Sequence, residues 1–411
     1  MRRVAVTGMG AVTPLGCNVG DFWENLVQGV CGIDFITKFD ASEFKAKLAA
    51  ELKDFDPSIY MEKSEIRKSD KFVQYAVCAA AQAMEDSNIS GSIAPDRLGV
   101  YYGSGIGGFD TFISEHNTML QRGPQRVSPM FIPKMISNMG AGNIAIKFNA
   151  KGPCISVSTA CATGTTAVGE AYRAIKHGYA DAIIAGGSEA AISPLAVAGF
   201  INCMALSESE DKTRASIPFD KERNGFIMGE GAGALVLEEY EHAVKRGATI
   251  YAEVCGYGST CDAFHVTSPD TEAEASSAAI KECLKEAGEG INAETVYFNA
   301  HGTSTPLNDK TETTAIKKAF GEDAYKIHIS STKSMTGHLL GAAGAIEAIA
   351  AIQALRFNTV PPTIGFKEAD PDCDLDYTPN TAAKTEIKLA LSNSLGFGGH
   401  NACVAFSKAE D

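Results

Sequence analysis

One cysteine and two histidines carry the reactive chemistry of this sequence. Cys161 lies in Val157-Ser158-Thr159-Ala160-Cys161-Ala162-Thr163-Gly164, where an extended run (154–158) turns into a stretch of small residues, 162–174. A helix of that composition is expected to be buried on all sides. A cysteine at its first turn meets unpaired N–H groups and the positive end of the helix dipole. Both favour the thiolate, the nucleophilic form. A cysteine by itself is more often a small core residue, so the reading needs partners. His301 follows Asn299-Ala300 and precedes Gly302-Thr303-Ser304-Thr305-Pro306, and His338 closes Lys333-Ser334-Met335-Thr336-Gly337. Both stand at glycine-rich strand ends, and reactive groups in α/β folds gather at the carboxyl ends of parallel strands.

A cysteine with two histidines is not a hydrolase set, because a cysteine protease needs one histidine oriented by Asn or Asp. Two imidazoles without an obvious orienting acid suggest two N–H donors aimed at one developing oxyanion. Decarboxylation to an enolate develops such a charge. An acyl thioester on Cys161 is the electrophile that the enolate would attack. The chemistry is then a Claisen condensation.

The surrounding elements repeat. The strand-like segment 97–105, the strand and small-residue helix around Cys161, and the buried strand 181–187 recur in pattern as 296–302, as 327–333 with helix 339–355, and as 387–393 ending in Gly396-Phe397-Gly398-Gly399. Strands alternating with helices imply parallel sheets covered on both faces. A duplicated unit implies two sheets with the helices 162–174 and 339–355 between them. Glu347 inside the second helix then needs a buried partner. The halves are expected to meet near residue 250, after the helix stop Gly247, giving units 1–250 and 251–411. Segment 358–380, with Pro361-Pro362 and Pro371, reads as a loop with a short edge strand.

Bulk properties narrow the function classes. The chain has 411 residues and a net charge of −14, which disfavours nucleic acid as a partner. Its 11 cysteines are scattered with no CxxC pair, which argues for reduced thiols and against a disulfide framework or a zinc site. The N-terminal Val4-Ala5-Val6-Thr7-Gly8 reads as a strand and not as a signal peptide. No uncharged apolar run reaches spanning length. A cytoplasmic enzyme without a metal or a membrane is expected.

Together, 157–164, His301 to Pro306, Lys333 to His338 and Gly396 to Gly399 resemble the elongating β-ketoacyl-acyl-carrier-protein synthases. Val6-Thr7-Gly8-Met9-Gly10, Pro218-Phe219-Asp220 and 225–231 extend the resemblance over essentially the whole chain. It implies a thiolase-like duplicated α/β fold, layered αβαβα with two mixed sheets around buried helices, and a homodimer. It assigns Cys161 as acyl acceptor, and His301 and His338 as the pair that drives malonyl decarboxylation and stabilises the enolate. Lys333 would hold the histidine network, with Asp309, Glu312 and Glu347 as its acids. Phe397 would act as a gate, its N–H completing an oxyanion hole with that of Cys161. Thr303 and Thr305 would hold the phosphopantetheine arm, and Ile106 and Phe200 would line the acyl tunnel. The resemblance implies no cofactor beyond the carrier's phosphopantetheine, although some relatives hold a monovalent cation. The partner is an acidic acyl carrier protein, for which Lys63, Arg67 and Lys68, or Arg122 and Arg126, are candidate docking cations. Met204 stands where the family often has an arginine.

Four alternatives compete, three of them enzymes and one a non-catalytic subunit. A thiolase would carry a second catalytic cysteine where this chain has Phe397. The initiating type III synthases pair cysteine with His and Asn, which His338 contradicts. A chain-length-factor subunit would lack Cys161. A ketosynthase of a polyketide pathway shares all these motifs and stays open.

Overall fold

The computed structural model describes residues 1–409. Ten strands form its main sheet: β1 (Val4–Val12), β2 (Leu98–Gly103), β3 (Cys154–Ile155), β4 (Ala182–Glu189), β5 (Gly231–Glu239), β6 (Ala252–Cys261), β7 (Val296–Asn299), β8 (His328–Ser330), β9 (Leu389–Gly396) and β10 (His400–Ser407). Their spatial order is β8-β7-β9-β10-β6-β1-β5-β4-β2-β3. Counted outward from the centre, the first half runs β1-β5-β4-β2-β3 and the second β6-β10-β9-β7-β8, the same order shifted by five strands. The pairings match as well. In each half the two innermost contacts are antiparallel and the two outermost parallel. The duplication expected from the sequence is therefore present in the topology.

The halves are mixed, as the family resemblance implied and the strand–helix alternation alone did not, because β5 and β10 return antiparallel through the middle. One detail differs from the expectation of two sheets: the halves form one hydrogen-bonded sheet, joined by a seam of two residue pairs, Ala5 with Glu253 and Val6 with Ala252.

Helices α1 (Lys71–Ser87) and α2 (Met139–Phe148) cover one outer face, and α4 (Glu274–Ala287) and α5 (Pro306–Phe320) the other. Between the sheet halves lie α3 (Thr163–Lys176) and α6 (Ala343–Phe357), which touch each other and strands of both halves. The result is five layers, αβαβα. Each central helix is entered through the same device: a 3₁₀ turn, 160–162 or 340–342, whose first residue, Ala160 or Leu340, is held at φ 48°.

The two central helices are not buried alike. Every residue of α6 from Ala343 to Leu355 is buried, as its near-absence of charge requires. Among the described residues, Leu340–Phe357 is the one helical stretch long and apolar enough to span a membrane, and 89% of it is buried inside the protein. Helix α3, expected to be buried all round, brings Glu170 and Arg173 to the surface, with side chains 43% and 36% exposed. Segment 358–380 is largely loop, and Thr359–Val360 pairs with Ala383–Lys384.

Candidate active site

The two 3₁₀ turns that enter α3 and α6 bring the reactive residues together. One cavity of about 190 Å³ is lined by Cys161, His301, His338, Thr303, Thr305, Phe200 and Phe397. These residues come from both halves of the duplication. The rings of His301 and His338 meet edge to face with centroids 5.2 Å apart. Phe226 braces the other side of His338, also edge-on, at 5.2 Å.

The surroundings fix the tautomer of His338. The Leu340 N–H donates to His338 Nδ1 at 3.3 Å. His338 therefore carries its proton on Nε2, which is buried and without a protein partner. Both imidazoles are 3% exposed or less. Burial first, and then the positive charge of Lys333, hold both well below the ordinary imidazole range. They are neutral donors at neutral pH.

Cys161 departs from the sequence expectation. The helix-dipole argument favoured the thiolate, but burial pushes the Cys161 thiol up to about 12. Lys333 and a hydrogen bond from the Phe397 N–H pull the other way without overcoming it. Desolvating a unit charge outweighs half a helix charge at a neutral turn. The nucleophile is a thiol at rest and must lose its proton to react.

The acidic residues act on backbone and on Lys333, not on imidazole nitrogens. Glu312 accepts from the N–H groups of His301 and Gly302, each at 2.7 Å, and from Asn393 Nδ2 at 2.7 Å. Burial still pushes its carboxyl up to about 7. Asp309 accepts from the N–H groups of Phe219 at 2.8 Å and Ser304 at 3.2 Å, and Arg223 stands beside it at 3.6 Å. Together they fix the turn 301–305 that presents His301, Thr303 and Thr305. The hydroxyls of Thr303 and Thr305 meet at 3.0 Å. Lys333 Nζ is ion-paired with Glu347 Oε1, both side chains 1% exposed, which supplies the partner that Glu347 needed.

The Phe397 loop is the β9–β10 turn. Gly396 presses on the nucleophile turn so closely that a Cβ there would lie 2.6 Å from Thr159 O and 3.4 Å from Cys161 N. Gly398 and Gly399 adopt φ 88° and 79°, open to glycine and strained for other residues. The turn is also tied to a facing loop, through Gly398 N–H to Val266 O at 2.8 Å and Asp262 N–H to Gly399 O at 2.9 Å.

Ile106 and Phe200 pack into one apolar cluster with Cys161, Leu340 and Phe226. The basic candidates do not reach the cavity. Lys63, Arg67 and Lys68 are exposed on the short helix 63–68, Arg122 and Arg126 are exposed at 122–126, and none of them lines it. Met204 does line it and is 90% exposed.

Three contributors had escaped the sequence reading. Phe226 sat inside a quoted motif without a role. Asn393 is separated from its partner Glu312 by 81 residues. The wall Thr267-Ser268-Pro269 is ordinary polar loop with no local signal.

This architecture, two duplicated halves with Cys161 at one central elbow, His338 just before the other and His301 at the end of β7, defines a thiolase-like ketosynthase. The family model "Beta-ketoacyl synthase, N-terminal domain" matches residues 1–243, and "Beta-ketoacyl synthase, C-terminal domain" matches 251–367. The chain belongs to the β-ketoacyl synthase family. It is 49% identical to the "3-oxoacyl-[acyl-carrier-protein] synthase 2" of Synechocystis sp., covering 99% of this chain and 98% of that one. It is 50% identical to the Coxiella burnetii protein of the same name, covering 100% and 99%. Among solved structures, a β-ketoacyl synthase from Burkholderia phymatum superposes with a TM-score of 0.91 at 36% identity, covering 100% of both chains. A type II PKS ketosynthase in complex with its acyl-carrier protein does so with the same TM-score, identity and coverage.

Proposed function

We propose that this chain joins an acyl group held on Cys161 to malonyl-acyl-carrier protein, releasing CO2 and giving β-ketoacyl-acyl-carrier protein in fatty-acid elongation. The observation that carries the reading is the meeting of one thiol and two neutral imidazoles in a single cavity.

The reaction has two stages. In the first, the Cys161 thiol attacks the acyl thioester. Its proton passes to His301, the imidazole whose Nδ1 is buried without a partner; His338 already carries its proton on Nε2. The C–S bond to Cys161 forms and the bond to the pantetheine sulfur breaks, that sulfur leaving with the proton His301 took from Cys161. The N–H groups of Cys161 and Phe397 hold the transient oxyanion. In the second stage malonyl thioester loses CO2, and the electron pair of the broken C–C bond moves onto the thioester oxygen as an enolate. The N–H donors of His301 and His338 stabilise that oxygen. The enolate carbon then attacks the acyl carbonyl, the C–S bond breaks, and Cys161 leaves as thiolate, taking one proton from water, the proton that loss of CO2 from a carboxylate consumes.

Thr303 and Thr305 would hold the pantetheine arm, while Ile106 and Phe200 wall the acyl chain. Lys333 with Glu347 keeps a fixed charge behind both histidines, and Asp309 and Glu312 hold the turn that presents His301. The monovalent cation of some relatives would fit here. Asn299 Oδ1, Ser392 Oγ and Glu347 Oε2 are buried oxygens without a hydrogen-bond partner, and Asn299 pairs with Ser392 across β7 and β9. Such an ion would supply positive charge beneath the site.

The carrier protein docks on exposed cations, Lys63, Arg67 and Lys68 or Arg122 and Arg126. A homodimer is supported by the edge strand β3, whose two residues are exposed, and by exposed Ile132, Ile146 and Ile155. The chain divides near residue 250 into two halves, 1–250 and 251–411, and works in the cytoplasm. Elongation of fatty acids is favoured over polyketide synthesis because identity is 49–50% to the former relatives and 36% to the polyketide ketosynthase.

The test is incubation with acyl- and malonyl-carrier protein, following CO2 release and product mass. A product two carbons longer than the acyl donor is expected. The absence of any condensation product at every acyl length would overturn the proposal.

A further inference from the structure

One buried carboxylate has no part in the steps above. Glu189, the last residue of β4, is 0% exposed and has no ion-pair partner among the described residues. Hydrogen-bond donors surround it. The Ser104 hydroxyl and the Ile106 N–H donate to Oε1 at 2.8 and 3.2 Å. The N–H groups of Gly105 and Gly341 donate to Oε2 at 2.9 and 3.0 Å. A buried carboxylate with this many donors is held firmly, because bonds to a charged acceptor are roughly twice as strong as neutral ones.

The donors come from two places that differ in function. Residues 104–106 form the loop that carries Ile106, which packs beside Cys161, Phe200 and Leu340. Gly341 belongs to the elbow before α6. Its neighbour Leu340, held at φ 48°, donates the hydrogen bond that sets the tautomer of His338. The two backbones are pressed together around the carboxylate. A Cβ on Gly341 would lie 2.4 Å from Gly105 N and 2.9 Å from Glu189 Oε2. Any shift of the Ile106 loop is therefore transmitted to the elbow.

We propose that Glu189 is a positioning residue that locks the Ile106 wall of the acyl pocket to the elbow that orients His338. This rests on the condensing function proposed above. An acyl chain that displaces Ile106 pulls the elbow and moves His338 out of register. Chain length is then selected in the condensation step and not only in acyl binding. Nothing in the local sequence signals this, since Glu189 and Gly341 are 152 residues apart.

The test uses the full chain with a series of acyl-carrier proteins and malonyl-carrier protein, recording kcat and KM at each acyl length and the melting temperature. Glu189→Gln keeps the size but turns one acceptor oxygen into a donor facing N–H groups. At the preferred length its kcat should fall about tenfold or more, with KM within about twofold. The dependence of kcat on chain length should flatten. Ser104→Ala, which removes one donor to Glu189 and the acceptor of the Gly107 N–H, both on the loop side, should flatten that dependence to a smaller degree. Wild-type kcat at every length in Glu189→Gln overturns the inference, as does a loss equal at all lengths, which would mark a merely structural residue. If Glu189→Gln fails to fold, Ser104→Ala decides: a flattened profile supports the lock and an unchanged one overturns it. A wild-type chain that forms no product at any length would instead count against the condensing function itself.

Discussion

Lys333 and Glu347 form a buried ion pair inside the catalytic cluster, and its two effects can be separated by mutation. Both side chains are 1% exposed. Removing one partner leaves an uncompensated buried charge, which costs about 3–5 kcal/mol. At about 2.1 cal/mol/K of unfolding entropy per residue, 411 residues give roughly 0.9 kcal/mol/K. Lys333→Met or Glu347→Leu alone should therefore lower the melting temperature by about 3–6 °C. The double variant Lys333→Met/Glu347→Leu removes both charges while keeping volume, and its stability should return to within about 1 kcal/mol of the parent. Activity should not return with it. The Lys333 charge is the largest influence drawing the Cys161 thiol down from the level set by burial. Every further unit of thiol pKa lowers the thiolate fraction tenfold. Calorimetry, iodoacetamide alkylation of Cys161 followed by mass spectrometry, and the condensation assay report the terms separately. The expected double variant is restored in stability, slowed in alkylation because the larger effect of Lys333 is lost together with the smaller opposing effect of Glu347, and inactive in condensation. A double variant that melts no higher than either single, or one that condenses at the wild-type rate, refutes the reasoning.

Other consequences follow from the same geometry. Cys161→Ala should abolish condensation while malonyl decarboxylation persists, since the imidazoles and not the sulfur stabilise the enolate; loss of CO2 release would contradict that division. Because burial and Lys333 hold both histidines well below the ordinary value, they stay neutral as pH falls through about 6.5. The rate of CO2 release should then be flat from about pH 6 to 8, and Lys333→Met should move the acid limb upward. A wild-type acid limb near 6.5 would show that the imidazoles are not shifted. Gly396→Ala places a Cβ 2.6 Å from Thr159 O; such overpacking costs about 1–3 kcal/mol and should slow acyl transfer by displacing the Phe397 N–H. Acylation kinetics equal to the parent would show that this contact can relax at no cost.

Much of this protein could be read locally. The small-residue run after Cys161, the glycine-rich ends at His301 and His338, and the Gly396–Gly399 turn identified the reactive groups. The strand patterns identified the duplication, because a buried strand needs an apolar run and a tight turn needs glycine wherever they stand. The strand patterns alone did not show the antiparallel returns β5 and β10, which only the family resemblance implied, since strand direction depends on a partner elsewhere in the chain.

The sequence by itself determined which side chains are available and the order in which the two repeats present them. Only the tertiary structure decided their chemical states. Whether Cys161 rests as thiol or thiolate depends on how much water the packed halves exclude, and burial prevailed over the helix end. Glu312 and Asp309 hold the backbone of the His301 turn because the fold brings N–H groups to them. Lys333 finds an ion-pair partner in the core because Glu347 on α6 faces it. These outcomes are set by desolvation and by partners distant in the chain, quantities that no local pattern of residues encodes.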